Sequence, residues 1–204
     1  MTASHGLWTL VMAAIVAWGP ALADPKVVRA LGEDLPQPGA LFEDVRAMKL
    51  APGRRIVCES DTDKPSLANP GQMKPQRSRG ADHVRRCSVF ADDGGDSWRQ
   101  AGVATVFGEA RLWLIFIEHG AQGRYRLAQL SLWAKAGEWD KAAGLLGALL
   151  GEPSTRASRF LGWQDEQHET LMFIDEKHPD EFAVAIGDIR LRKLMKSPGT
   201  AIRE

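Results

Sequence analysis

The eight residues from 111 to 118, Arg-Leu-Trp-Leu-Ile-Phe-Ile-Glu, restrict the fold of this chain most. Side chains alternate along an extended strand, so Leu112, Leu114 and Phe116 share one side and Trp113, Ile115 and Ile117 the other. A strand that is apolar on both sides belongs inside a sheet, with material over both faces. Its partner lies just upstream. Residues 100–107 also alternate, and Gly108-Glu109-Ala110 makes the connection a hairpin. Residues 126–134 predict a third strand of the meander, reached across a short turn at 120–123, although Leu127, Leu130 and Leu132 fit neither the helical nor the strand period cleanly.

A second unit occupies 137–173. Trp139, Ala142, Ala143, Leu146, Leu149 and Leu150 make one apolar helical face. Glu138 and Asp140 sit near the positive end of the helix dipole, Gly151 takes the position after the last turn, and Pro153 prevents continuation. Ala143, Gly147 and Gly151 line up four apart. An interior glycine costs about 1 kcal/mol against alanine, which predicts that the helix approaches a sheet closely there. Residues 160–164 and 170–175 alternate as a hairpin, and Phe182, Val184 and Ile186 alternate in a last strand. Beyond it, Ile189, Leu191 and Leu194 stand among basic residues. The first half predicts short helices at 25–35 and 40–49, then strands at 54–60 and 84–91. The fold class is therefore α+β: an antiparallel sheet with helices packed on one face. Residues 24–204 form a single domain, divisible into related halves at 40–134 and 137–196.

Residues 7–23 are almost wholly apolar and end in Ala21-Leu22-Ala23, the pattern of a secretory signal peptide cut after Ala23. A retained anchor is the alternative, and would be the only membrane contact. The run is broken by Gly19-Pro20 and is shorter than the roughly twenty residues a spanning helix needs. Export places the chain in the periplasm or outside the cell. Cys58 and Cys87 are the whole thiol inventory. An even count in an exported chain predicts a disulfide between them, with free thiols or a redox pair as alternatives. The 26 basic and 26 acidic residues balance, so no global field recruits nucleic acid or anionic lipid.

Residues 61–82 carry Pro65, Pro70, Pro75 and several small polar residues, with Lys64, Lys74, Arg77 and Arg79 among them. Such a composition buries little apolar surface and predicts a flexible loop pinned at its base by the disulfide. Its functional reading is a basic binding loop for an acidic partner.

The order of a helix, an L-x-x-L-L-G-E-P break, a strand with Trp163, a hairpin and Phe182-Ala183-Val184-Ala185-Ile186 with Asp188 resembles small α/β modules of the bacterial envelope. The β-lactamase inhibitor protein and the small lipoprotein of the outer-membrane assembly machine share this layout. The resemblance spans 138–194 and concerns the fold. It carries no catalytic motif and transfers no binding residue. The lipid-attachment cysteine is missing, and the loop after Cys58 has no place in the theme.

Catalytic signatures are absent from the sequence: there is no G-x-S-x-G elbow, H-E-x-x-H helix, P-loop or dinucleotide fingerprint. Asp92-Asp93-Gly94-Gly95-Asp96 has the composition of a turn and lacks the ligand spacing of a calcium loop. His168 and His178 bracket a strand and, if it is straight, cannot share a metal. Glu118 and His119 could form an acid/base pair at a strand end. These observations predict no catalytic residue, no metal and no cofactor. The leading expectation is a non-enzymatic module that binds an envelope protein through its sheet face or its basic loop, with Lys64, Lys74, Arg77, Arg79 and Trp163 as candidate contacts. A carrier of an apolar small molecule between sheet and helix is the alternative. A small hydrolase would need Glu118, His119 or His168 to converge in a cleft. Tryptophans at 98, 113, 133, 139 and 163 sharpen the choice, because an exposed aromatic sheet face points to a protein partner and a large apolar cavity to a ligand.

Overall fold

The computed structural model describes residues 25–73, 83–92, 94, 97–120 and 122–196. The signal segment, Lys74, Arg77, Arg79, most of the 92–96 turn and the tail after 196 lie outside the described residues. The fold is α+β, built on one ten-stranded antiparallel sheet.

Two short helices open the described chain, α1 (Pro25–Leu31) and α2 (Phe42–Arg46). The strands β1 (Arg54–Cys58), β2 (Val84–Asp92), β3 (Trp98–Gln100), β4 (Gly102–Thr105), β5 (Gly108–His119) and β6 (Arg124–Lys135) follow. Helix α3 (Trp139–Leu150) leads into β7 (Thr155–Ala157), β8 (Phe160–Gln164), β9 (His168–Phe173) and β10 (Glu181–Asp188), and α4 (Ile189–Lys196) closes the chain. The spatial order is β1-β2-β5-β6-β10-β9-β8-β7, with β3 added to β2 and β4 to β5. A single continuous sheet thus runs through both 40–134 and 137–196, and β6 and β10 pair at its centre.

One face carries the main core. Ile56, Val89, Leu112, Leu114, Phe116, Leu130, Leu132, Met172, Phe182, Val184 and Ile186 are buried there beneath α1, α2 and α3. Rings lock the layers together: Phe42 meets Phe116 edge-on at 5.1 Å, and Trp139 meets Phe182 at 5.8 Å. At the end of α3 Gly151 adopts φ 78°, a region that glycine enters without steric cost. The approach predicted for the α3 glycines is not found. A Cβ on Gly147 would meet nothing within 4 Å, because the helix buries Ala142 and Leu146 instead.

Helix α2 is shorter than the expected 40–49. Backbone groups of Gly39 and Ala40 bond to Leu127, and Leu41 bridges to Arg126, so β6 claims the first turn. Met48 and Leu50 leave the helix and pack against the core from an irregular connection. Strand β6 contains a bulge: Ile115 pairs with Gln129 and Phe116 with Leu127, which leaves Ala128 without an opposite residue. The bulge shifts the phase of the strand. Leu127, three residues from Leu130, therefore reaches the same core.

The opposite face is covered only in part. Leu67 and Met73 pack on Val57, Phe90, Trp98 and Trp113 at one end. The 64–73 segment is thus a cover for the sheet, held by backbone hydrogen bonds that join Ser66 and Ala68 to Trp98. At the other end α4 lays Leu191 and Leu194 over Ile117 and Ala128. Asp188 starts that helix by accepting the backbone N–H groups of Arg190 and Leu191, the N-cap role of a short carboxylate.

Candidate functional site

Between these two covers lies a band of sheet whose side chains follow from strand register. One row across the strands reads Phe160, Phe173, Ala183, Trp133 and Arg111. Ala183 is too small to fill its position, so Trp133 and Phe173 lean over it from either side and meet edge-on at 5.9 Å. They bury Ala183 completely while staying half-exposed themselves. The next row reads Gly162, Leu171, Ala185, Ser131 and Trp113. Small residues on β10 form the floor, with Trp133 on one flank and Leu171 and Phe173 on the other. Ile115, Trp133, Leu171 and Phe173 are all only half-buried. The odd-numbered side of β5 is therefore fully covered only at Ile117, and Trp113 and Ile115 stay half-buried.

Charged groups at the margin are paired. Arg111 bonds Glu181, Arg192 bonds Glu169, and the Arg86 Nε lies 3.4 Å from Glu59 Oε2. Arg86 also sits over the Trp113 ring at 5.2 Å, and Arg55 over Trp98 at 5.1 Å. Burial pushes the Glu59 carboxyl above its ordinary range, against the opposing pull of Arg86 and Lys64. The result is an aromatic centre within a compensated polar rim.

Two of the residues singled out from sequence, Trp163 and Lys64, fall elsewhere, and Lys74, Arg77 and Arg79 lie outside the described residues. Trp163 points into the helical core at 6 % exposure, and its indole N–H donates to the Gly151 carbonyl at 2.9 Å. It fastens the end of α3 to β8 and offers no ring to solvent. Lys64 donates to the Glu59 carbonyl, so its ammonium is spent on holding the 59–73 chain against the sheet. The disulfide is formed: Cys58 and Cys87 are directly opposed on β1 and β2, with an S–S distance of 2.02 Å. Trp98, Trp113 and Trp133 are the tryptophans on the partly covered face. The sequence signal for it was the odd-numbered apolar set of β5, continued by Trp133, Leu171 and Phe173.

The groups a hydrolase would need stay apart. Glu118 pairs with His83. His168 is joined to Asp165 at 3.1 Å, and β9 stands three strand spacings from β5, roughly 14 Å. Burial works to raise the Asp165 carboxyl, but hydrogen bonds from the Gln167 and His168 backbones and from the His168 ring outweigh it and hold the group below its ordinary range. Among the described residues no cluster of three or more His, Cys, Asp or Glu could hold a metal. No described helix is long and apolar enough to cross a membrane. A separate cavity of about 320 Å³ opens on the helical side, lined by Leu35, Met48, Ile56, Val89, Val103 and Leu112 among others. In comparisons with protein-family models, curated proteins and solved structures, no match to this chain is found.

Proposed function

We propose that the chain is an exported, non-enzymatic binding protein whose half-covered sheet face docks on a partner protein. The observation that carries this reading is the band formed by Ile115, Trp133, Leu171 and Phe173, half-buried between two covers and fringed by paired charges. Aromatic side chains and stacked arginines supply contact area at low entropic cost and recur as binding hot spots. The complementary surface is a protein patch with apolar side chains at its centre and hydrogen-bond acceptors for Arg55, Arg86 and Arg111 around it. Within the basic 61–82 loop, Lys64 is engaged internally, and the loop is kept as a second contact.

Export through residues 1–23, with cleavage after Ala23, completes the proposal. A cross-strand disulfide is compatible with an oxidising compartment outside the cytosol. Intact-mass measurement of protein purified from its native host checks the processing. A mature chain beginning at Asp24 and lacking two thiol hydrogens is expected, and retained Met1 with two free thiols would overturn the export reading.

Docking is tested by crosslinking and co-purification of the mature chain from periplasmic extract, alongside two variants. Trp133→Ser with Phe173→Ser strips the centre of the face. Leu149→Ser removes an exposed apolar residue on α3, 40 % accessible and remote from it. Loss of a hot-spot pair weakens binding by roughly 30-fold or more, so the crosslinked partner should vanish from the first variant and persist in the second. A folded double variant that captures the same proteins as the parent chain sinks the proposal. So does a parent chain that runs as a dimer dissolved by the double variant, which would make a second copy the occupant.

A further inference from the structure

We infer that the cavity on the helical side of the sheet is a binding site for a single unbranched aliphatic chain, independent of the docking face. Its setting is a stretch of the sheet bordered by irregular chain. Helix α3 packs through Trp139 over Phe182, and α2 packs through Phe42 on Phe116 and Tyr125. Ile56, Val89, Leu112 and Leu114 are at most 6 % exposed, and no residue of α1, α2 or α3 lines the cavity beside them. The roof there consists of two irregular connections, which contribute Leu35 and Pro36 from one side and Met48, Leu50 and Ala51 from the other. Val103 and Ala104 of β4 close the remaining wall. Because α2 ends at Arg46, Met48 and Leu50 reach the sheet from irregular backbone and leave about 320 Å³ between roof and floor.

The lining decides the chemistry of the ligand. Its interior side chains are aliphatic or methionine, with no hydroxyl, amide, imidazole or aromatic ring among the lining residues. A polar group carried inward would find no partner and would forfeit its hydration, so the inserted part has to be hydrocarbon. Without a ring on either wall, nothing favours a flat aromatic guest over a flexible chain. Met48 can adjust its three torsions to the guest. The volume lies at the low end of small-molecule sites, which run from roughly 300 to 1,000 Å³; it suits one medium-length chain and excludes a two-chain lipid.

The head group stays outside. Glu33, Asp34, Lys49 and Arg54 ring the mouth. Arg54 is already bonded to the Gly102 carbonyl and lies 3.7 Å from Glu109. With both signs present and the arginine engaged, the mouth selects weakly for charge and the chain supplies the affinity.

The test titrates oxidised 24–204 protein calorimetrically with decanoate, decanol and decyltrimethylammonium, each below its micellar concentration. All three should bind at one site with affinities within about tenfold of each other, and the methyl resonances of Met48, Leu112 and Leu114 should shift. Val103→Phe projects a ring into the cavity and should weaken binding by more than about tenfold, equivalent to expelling roughly two methylenes. Trp133→Ala on the docking face should leave binding unchanged. Absence of heat with every probe overturns the inference, as does binding that fails with Trp133→Ala and survives in a folded Val103→Phe. Should Val103→Phe not fold, the parent chain decides alone: shifts at Met48, Leu112 and Leu114 support the site, and shifts confined to Leu171 and its neighbours refute it.

Discussion

Asp165 shows how much of the local structure rests on a single short side chain. One carboxylate oxygen accepts the backbone N–H groups of Gln167 and His168 at 2.7 Å each, while the other meets the His168 ring. This turn directs the chain from β8 into β9, and its charge is favoured in the folded state. A carboxyl with a folded pKa below its unfolded one contributes stability above the ordinary range, and that contribution is lost as the pH falls through the folded pKa. Asp165→Ala should therefore lower stability near neutral pH, with a deficit that shrinks in acid. Since the side chain is 63 % exposed, screening keeps the electrostatic part below about 1 kcal/mol. Urea melts at neutral and strongly acidic pH measure the difference, and a deficit independent of pH would assign the effect to backbone geometry alone. Trp163 has the opposite character. Trp163→Phe removes a buried donor and should cost about 1–2 kcal/mol, without altering partner capture.

At the scale of elements, α3 carries two glycines that its packing does not use. Cβ atoms built on Gly144 and Gly147 would meet nothing within 4 Å, while each glycine costs the helix up to about 1 kcal/mol. Gly144→Ala with Gly147→Ala should raise the melting temperature by roughly 2–4 °C per kcal/mol gained. A lowered melting temperature would reveal a close approach after all. This helix was legible down to its capping glycine because its apolar period is unbroken and Gly151-Glu152-Pro153 stops it. Other elements resisted reading for physical reasons. The Ala128 bulge breaks the period of β6 in mid-strand, so that Leu127 and Leu130 share a face three residues apart. Helix α2 loses its first turn to long-range bonds with β6, which local propensity cannot anticipate. The 64–73 segment has the composition of a solvated loop, yet Leu67 and Met73 pack on Val57 and Phe90 and backbone bonds to Trp98 hold it there. The aromatic band was legible only as alternation in single strands. Its assembly across β5, β6, β10 and β9 depends on the pairing of β6 with β10, a contact between residues about fifty apart in sequence.

Across the whole molecule, the two candidate sites lie on opposite faces of one sheet, and the cavity reaches its β1 edge. Among the described residues strand β1 pairs only with β2; it sends Ile56 to the cavity floor and Val57 under the 64–73 cover. What fixes this edge covalently is the bond between Cys58 and Cys87, 29 residues apart. On the chain-entropy estimate a loop of that size stabilises the fold by roughly 3.6 kcal/mol. For a domain of this size, reduction should lower the melting temperature by roughly 7–14 °C. The loss is not spread evenly. The long β5–β6 and β6–β10 ladders keep their neighbours on both sides, whereas β1 loses its only covalent tie and frees the segment that rests on it. Hydrogen exchange after reduction should accelerate first in 54–73, while amides of β6 and β10 keep their protection. Aliphatic-chain binding should weaken under the same conditions because Ile56 belongs to the cavity floor, and capture through Trp133 and Phe173 should persist. Uniform acceleration across the sheet, or an unchanged melt in protein whose mass shows both thiols free, would mean that the edge is held by packing alone.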